Sequence, residues 1–235
     1  MRKLAVAALG IAVGGVAVIA APSGAQDPPV TTVTAEAKVT PDKPGTKKKP
    51  RGVKLKIDVH WDTPGDVEKP VVQRATVMFP KGSKYNGGEF PKCSANTMSR
   101  KGIAGCPKGS VMGKGSAVAY ADTVMTYPKI TVVNGGRDTI YLWTVMTNPA
   151  RVQAPVVGKI TKASGKFAYE LELTVPQSLQ IVAGVPIALK DITIKAGKKD
   201  WLATTGCPGG EWPFEGETFF DNGTSGTFAS SVECG

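Results

Sequence analysis

Apolar and polar residues alternate strictly at several places along this chain. Val53, Leu55, Ile57 and Val59 interleave with Lys54, Lys56, Asp58 and His60, and Trp61 follows. A period of two with one apolar side marks a strand that buries one face and wets the other. The same alternation runs through 31–40, where Val33, Ala35, Ala37 and Val39 oppose Thr32, Thr34, Glu36 and Lys38. It returns in 166–175, where Phe167, Tyr169, Leu171 and Leu173 alternate with Ala168, Glu170, Glu172 and Thr174. Further strands are predicted at 71–79, 110–121, 124–133, 139–147, 156–162, 185–189, 192–195, 201–205, 217–220 and 227–232. Asn134-Gly135-Gly136-Arg137-Asp138 and Ala163-Ser164-Gly165 read as hairpin turns, and Asn222-Gly223 as another. No helical period is convincing beyond the first 25 residues. At most one short helix is expected, between Cys93 and Cys106, ending at Gly102. The reading is all-β: one antiparallel β-sandwich or jelly-roll-like domain of about a dozen strands over 31–235, after a frayed start at 26–30.

The beginning of the chain follows another logic. Arg2 and Lys3 precede the apolar run Leu4–Ala21, and Ser23-Gly24-Ala25 supplies small residues behind it. That is the layout of a signal peptide, residues 1–25, with cleavage after Ala25. The protein is therefore expected outside the membrane, secreted or associated with the cell wall. An oxidising compartment makes the four cysteines, Cys93, Cys106, Cys207 and Cys234, readable as two disulfides. Three pairings are possible, and sequence proximity favours Cys93–Cys106 and Cys207–Cys234. A zinc site would want paired knuckles of the CxxC type, which these cysteines do not form. No metal or cofactor is expected.

Charge then narrows the candidate surfaces. The chain carries +10, with Gly 28 and Pro 18 making it rich in turns. Between the first two strands lies a basic loop, 41–52, in which Lys43, Lys47, Lys48, Lys49 and Arg51 stand among three prolines and two glycines. Such a segment cannot enter a core, so its charges face solvent. Lys47, Lys48, Lys49 and Arg51 are the candidate binding residues, with Lys43, Lys54 and Lys56 beside them on the same candidate contact surface. Their partner would be an anionic cell-wall polymer or a membrane surface, with nucleic acid disfavoured by export. The competing reading is a solvated connection.

Catalytic chemistry finds little to build on. His60 is the single histidine, on the polar side of its strand and without a nucleophile motif. Gly109–Ser116 falls one residue short of a phosphate loop and has Gly115 where a metal-binding hydroxyl is required. The one enzymatic alternative is an envelope glycan hydrolase, which needs two carboxylates about 5–10 Å apart. Glu170 and Glu172 share one strand face about 7 Å apart, and Glu211, Glu215 and Glu217 cluster near Trp212 and Phe214. Trp61, Trp143, Trp201 and Trp212 offer material for a sugar-stacking platform, although Trp143, on one face with Tyr141, has the pattern of core.

Three segments carry a resemblance. They are Val39 to Leu55 with its Lys47-Lys48-Lys49-Pro50-Arg51 centre, Phe90-Pro91-Lys92-Cys93 with Gly105-Cys106-Pro107-Lys108-Gly109, and Thr204-Thr205-Gly206-Cys207-Pro208. Together they resemble a group of exported, β-rich proteins of actinobacteria with no assigned activity. The motifs are made of Cys, Pro and Gly and are structural. The resemblance implies an exported β domain and brings no catalytic residue.

Overall fold

The computed structural model describes residues 30–65 and 67–235. The expected signal peptide, its cleavage site and residues 26–29 of the frayed start lie outside the described residues. In chain order the elements are β1 (Thr32–Thr40), β2 (Arg51–Gly52), β3 (Lys54–Asp62), β4 (Val72–Pro80), β5 (Ser83–Tyr85), α1 (Ala95–Lys101), β6 (Val111–Ala121), β7 (Val124–Thr126), β8 (Lys129–Asn134), β9 (Thr139–Met146), β10 (Val152–Lys162), β11 (Phe167–Thr174), α2 (Gln177–Gln180), β12 (Ile181–Val182), β13 (Val185–Ala196), β14 (Leu202–Thr204), β15 (Glu211–Phe220) and β16 (Ser225–Glu233).

The molecule is mostly β and antiparallel, as the alternation predicts. One large sheet runs in the order β1-β3-β13-β6-β8-β9-β10-β11-β4-β15-β16, with β7 added to β6 and β12 to β13. Its two end strands meet. The Ala37 amide of β1 donates to Ser230 Oγ of β16 at 3.0 Å. A side chain at Gly226 would collide with Val33, so glycine is what lets β16 come this close to β1. The sheet is thus nearly closed on itself, as a barrel or flattened sandwich. The apolar positions read from the sequence point inward: Leu55 and Trp61 on β3, Val77 on β4, Ile130 and Val132 on β8, Leu171 on β11.

The predicted hairpins at 134–138 and 163–165 join β8 to β9 and β10 to β11, and the 222–223 turn joins β15 to β16. Differences are local. Strands β2, β7 and β12 have two or three residues, too few for alternation to show. The predicted strands 185–189 and 192–195 are one strand, β13, with a bulge between Leu189 and Asp191. The helix expected between Cys93 and Cys106 is α1, capped by Ser94 and closed at Gly102. A second helix, α2, was not predicted; it is a single turn behind Pro176, below the length at which a period of 3.6 can be read.

The two ends of the barrel are built differently. A second small sheet, β2-β14-β5, covers one end. There Trp201 and Tyr85 meet edge-on at 5.3 Å between ring centroids. At the other end lie α2, with Leu179 turned inward, and the loops that follow β3 and β6. Outside the barrel, α1 covers β8 and β9. Cys93, Met98, Val133 and Trp143 form a separate core there.

Candidate functional site

Lys47, Lys48 and Lys49 sit where the sequence places them, in an exposed loop, whereas Arg51, also exposed, belongs to strand β2 rather than to the loop expected over 41–52. The structure adds where that loop lies. The Gly45 amide donates to Thr204 Oγ1 at 3.1 Å, and β2 pairs with β14, so the loop packs on the small sheet that covers one end. Thr46 and Lys49 exchange backbone hydrogen bonds of 2.9 and 3.1 Å, which hold Lys47 and Lys48 at the tip of a tight turn.

Next to it is a feature that sequence order conceals. Lys38 on β1 is in register with Lys56 on β3, Lys56 with Lys195 on β13, and Lys195 with Lys114 on β6. Residues in register face the same way, so four lysines form one row across four neighbouring strands on the outer face. At the usual spacing of strands the row spans about 14 Å. Lys38, Lys114 and Lys195 are exposed, and Lys56 is half-buried. Of these four lysines, only Lys56 has an acidic partner among the described residues, Asp58. Asp58 also accepts from Thr193 Oγ1 at 2.6 Å. Burial opposes the charge of its carboxylate, but the hydrogen bonds from Lys56 and Thr193 and the charges of Lys56 and Lys195 outweigh it and hold Asp58 below the ordinary carboxylate range.

The carboxylates of the alternative reading lie elsewhere. Glu170 and Glu215 are both in register with Met78, and Glu172 and Glu217 with Thr76, so the four flank β4 on the outer face. Glu172 is bound by Arg74 at 3.3 Å, and Glu215 by Lys166. They stand on a convex, wet surface. His60 is exposed and bonded through Nδ1 to Asp191 at 2.6 Å. All four tryptophans are buried and form no stacking platform: Trp61 at 8%, Trp143 at 3%, Trp201 at 2% and Trp212 at 1% exposure. The cysteines are joined as Cys93–Cys106 and Cys207–Cys234, with Cα separations of 5.3 and 6.5 Å.

The barrel also encloses a concavity. A cavity of about 260 Å³ is walled by inward side chains of the large sheet, among them Ile57, Val59, Val156, Leu173, Leu189 and Ile194. No aspartate or glutamate lines it. Few polar groups border it: Thr144 donates to the Leu142 carbonyl at 3.2 Å, Thr218 accepts from the Trp61 indole at 3.3 Å, Tyr85 donates to the Asn134 oxygen and Thr204 accepts from the Gly45 amide, each at 3.1 Å, and Ser83, Lys84 and Tyr169 also line it. Sequence reasoning missed this space because its walls look like ordinary core in one dimension.

Comparison with family models and with curated proteins finds no match. Among solved structures the chain is similar to the T6 backbone pilin of serotype M6 Streptococcus pyogenes, described as modular, with three domains decorated by variable loops and extensions. The identity is 12% over 86% of this chain and 35% of the pilin, with a TM-score of 0.29. This chain spans about a third of that protein's length, and so coarse a likeness fixes neither fold nor activity.

Proposed function

We propose that this is an exported, non-enzymatic binding protein of the cell envelope, which attaches to an anionic wall polymer through its basic end. The observation that carries this reading is the row Lys38–Lys56–Lys195–Lys114, which continues the loop cations into one basic face. Like charges directly opposite one another on neighbouring strands destabilise a sheet. A row of four is therefore a cost to the fold, and an extended polyanion lying across it would offset that cost. A flexible loop alone would only need to be soluble; the row gives the charge a direction and a length. The glycan-hydrolase alternative has less support, since its carboxylates stand on a convex face and the cavity holds none.

The test compares three variants on isolated cell walls and on heparin resin. One replaces Lys47, Lys48, Lys49 and Arg51 by Ser, the second replaces Lys38, Lys114 and Lys195 by Thr, and the third combines them. Each of the first two should elute at lower salt than the parent, and the combined variant should not be retained. Retention of the combined variant equal to the parent would end this reading. Retention on anionic lipid vesicles but not on walls would replace the polymer by a membrane surface.

A further inference from the structure

Closing a sheet of many strands has a geometric consequence. Barrel diameter grows with strand number, and about eight strands give an interior that side chains can just fill or that holds one small ligand. The closed path here has eleven strands. Much of its lining is of moderate size, with Val, Ile, Leu and Ala on most strands. Inward positions such as Ile57, Val59, Leu189, Ile192 and Ile194 are only half-buried although they point into the molecule. They pack against the core and also border open space.

That space suits one kind of occupant. A water molecule in a buried site needs two to four polar partners, and an apolar cavity of about 150 Å³ stays dry and takes up hydrocarbon. The cavity here, at about 260 Å³, is larger and offers almost none. Of its hydroxyls, Thr144, Thr218, Tyr85 and Thr204 already have partners inside the wall. The arrangement is also the reverse of a barrel that spans a bilayer, which is apolar outside and polar within; here Lys38, Glu36, His60 and Glu172 are outside.

The two ends differ in a way that gives the cavity an entrance. At the small-sheet end Trp201 and Tyr85 are fixed by hydrogen bonds to the buried Asn134. At the α2 end lie all six large apolar residues that are exposed among the described residues: Val30, Val67, Val124, Met125, Tyr127 and Ile181. The pairing places them at the same end of the sheet: Val124 is opposite Ala121, Ala121 opposite Ile187, and Ile181 opposite Pro186 at the start of β13, with Val124 and Ile181 on opposite faces. Val30 precedes the β1 residue paired with Asp62, and Val67 lies in the loop after β3. Scattered apolar residues need no explanation, but the gathering of all six at one end does.

We infer that the barrel interior is a binding site for a single hydrocarbon chain of a lipid, taken in through the α2 end, where Val124, Met125, Tyr127 and Ile181 form an apolar rim that meets the lipid surface. The head group stays outside at this rim. The site is separate from the basic end and does not depend on it.

Tryptophans in the wall make the test direct. Trp61, Trp201 and Trp212 line the cavity, so a fatty acid brominated in its chain quenches their fluorescence only by entering. Delipidated protein titrated with dibromostearate should show saturable quenching with a stoichiometry of one, confirmed by native mass spectrometry. Absence of saturable quenching by the parent protein would overturn the proposal. Ile194→Trp fills the space and should weaken binding at least tenfold. Because that variant also changes packing, a second one is read beside it. Met125→Glu with Tyr127→Glu changes only exposed side chains and should slow transfer of the probe from neutral phosphatidylcholine vesicles at least fivefold while leaving the stoichiometry at one. Unchanged transfer would rule out the α2 end as the entrance. Loss of polymer retention in the lysine variants with quenching intact would separate this site from the basic one.

Discussion

Asn134 shows how much one buried side chain organises. It is fully buried, yet its amide nitrogen donates to the carbonyls of Gly87, Phe90 and Pro91 at 2.9, 3.2 and 3.1 Å. Its oxygen accepts from Tyr85 Oη and Trp201 Nε1, both at 3.1 Å. It therefore ties the chain segment after β5 to the small sheet and to the end of β8. Replacing it by leucine leaves several of these groups without partners in a dry place, each worth about 1–3 kcal/mol. Asn134→Leu should destabilise by about 3 kcal/mol or more, read as a lower midpoint in urea with an unchanged slope. Tyr85, in the same network, has its phenol pushed well above the ordinary range, first by burial and then by the charge of Asp138, against an opposing hydrogen bond from Trp201. The folded protein thus holds a proton that the unfolded chain releases near pH 10. Stability from this group is complete below that pH and is lost as pH rises above it. Melting temperature followed from pH 9 to 11 should fall, and the fall should be shallower in Tyr85→Phe, measured against that variant's own value at pH 9. Asp58 works at the other limit. Its lowered carboxyl stabilises the fold above its ordinary value of 3.8 and loses that contribution as pH drops below it.

Elements were legible in proportion to how local their cause is. The strands β1, β3 and β11 are visible as alternation, and the turn at 222–223 as Asn-Gly, because each is fixed by neighbours in sequence. The pairing of the cysteines was also legible, since each bridge closes a short loop of 13 or 27 residues. What the bridges do depends on the fold. Cys93–Cys106 pins the α1 excursion over Trp143 and Val133, whereas Cys207–Cys234 ties the end of β16, one of the two strands that close the barrel, to the segment before β15. Loop-closure entropy assigns them about 3 and 3.5 kcal/mol. Replacing Cys93 and Cys106 by Ala should cost about 3 kcal/mol and raise hydrogen exchange mainly in 94–106. Replacing Cys207 and Cys234 should raise it along β15, β16 and β1. The lysine row was not legible. Lys56 belongs to the basic stretch read from the sequence, but Lys38, Lys114 and Lys195 each look like an ordinary polar position on an alternating strand, and only the strand order β1-β3-β13-β6 brings them beside it. The cavity was hidden for a similar reason: alternation tells which residues face inward, not how wide the closed sheet stands.

At the scale of the whole molecule the barrel is polar in the sense of having two unlike ends, a basic one at the small sheet and an apolar-rimmed one at α2. This asymmetry makes a prediction in which stability and binding move in opposite directions. Lys195 lies between Lys56 and Lys114, with Ile194 and Ala196 turned the other way into the barrel. Its charge is exposed and has no acidic partner among the described residues. Removing it relieves repulsion on two sides against the loss of its attraction to Asp58, and threonine is well suited to a strand. Lys195→Thr should therefore stabilise the free protein by a few tenths to about 1 kcal/mol, with the gain largest at low salt because screening acts over about 8 Å at physiological ionic strength. The same change should lower the salt at which the protein leaves a polyanion matrix. Adding the polyanion should raise the melting temperature of the parent more than that of the variant, since only a ligand that binds the folded state stabilises it. A variant that is less stable than the parent at low salt, or that gains as much from the polyanion, would show that the row is not under electrostatic strain and that the anion is held elsewhere.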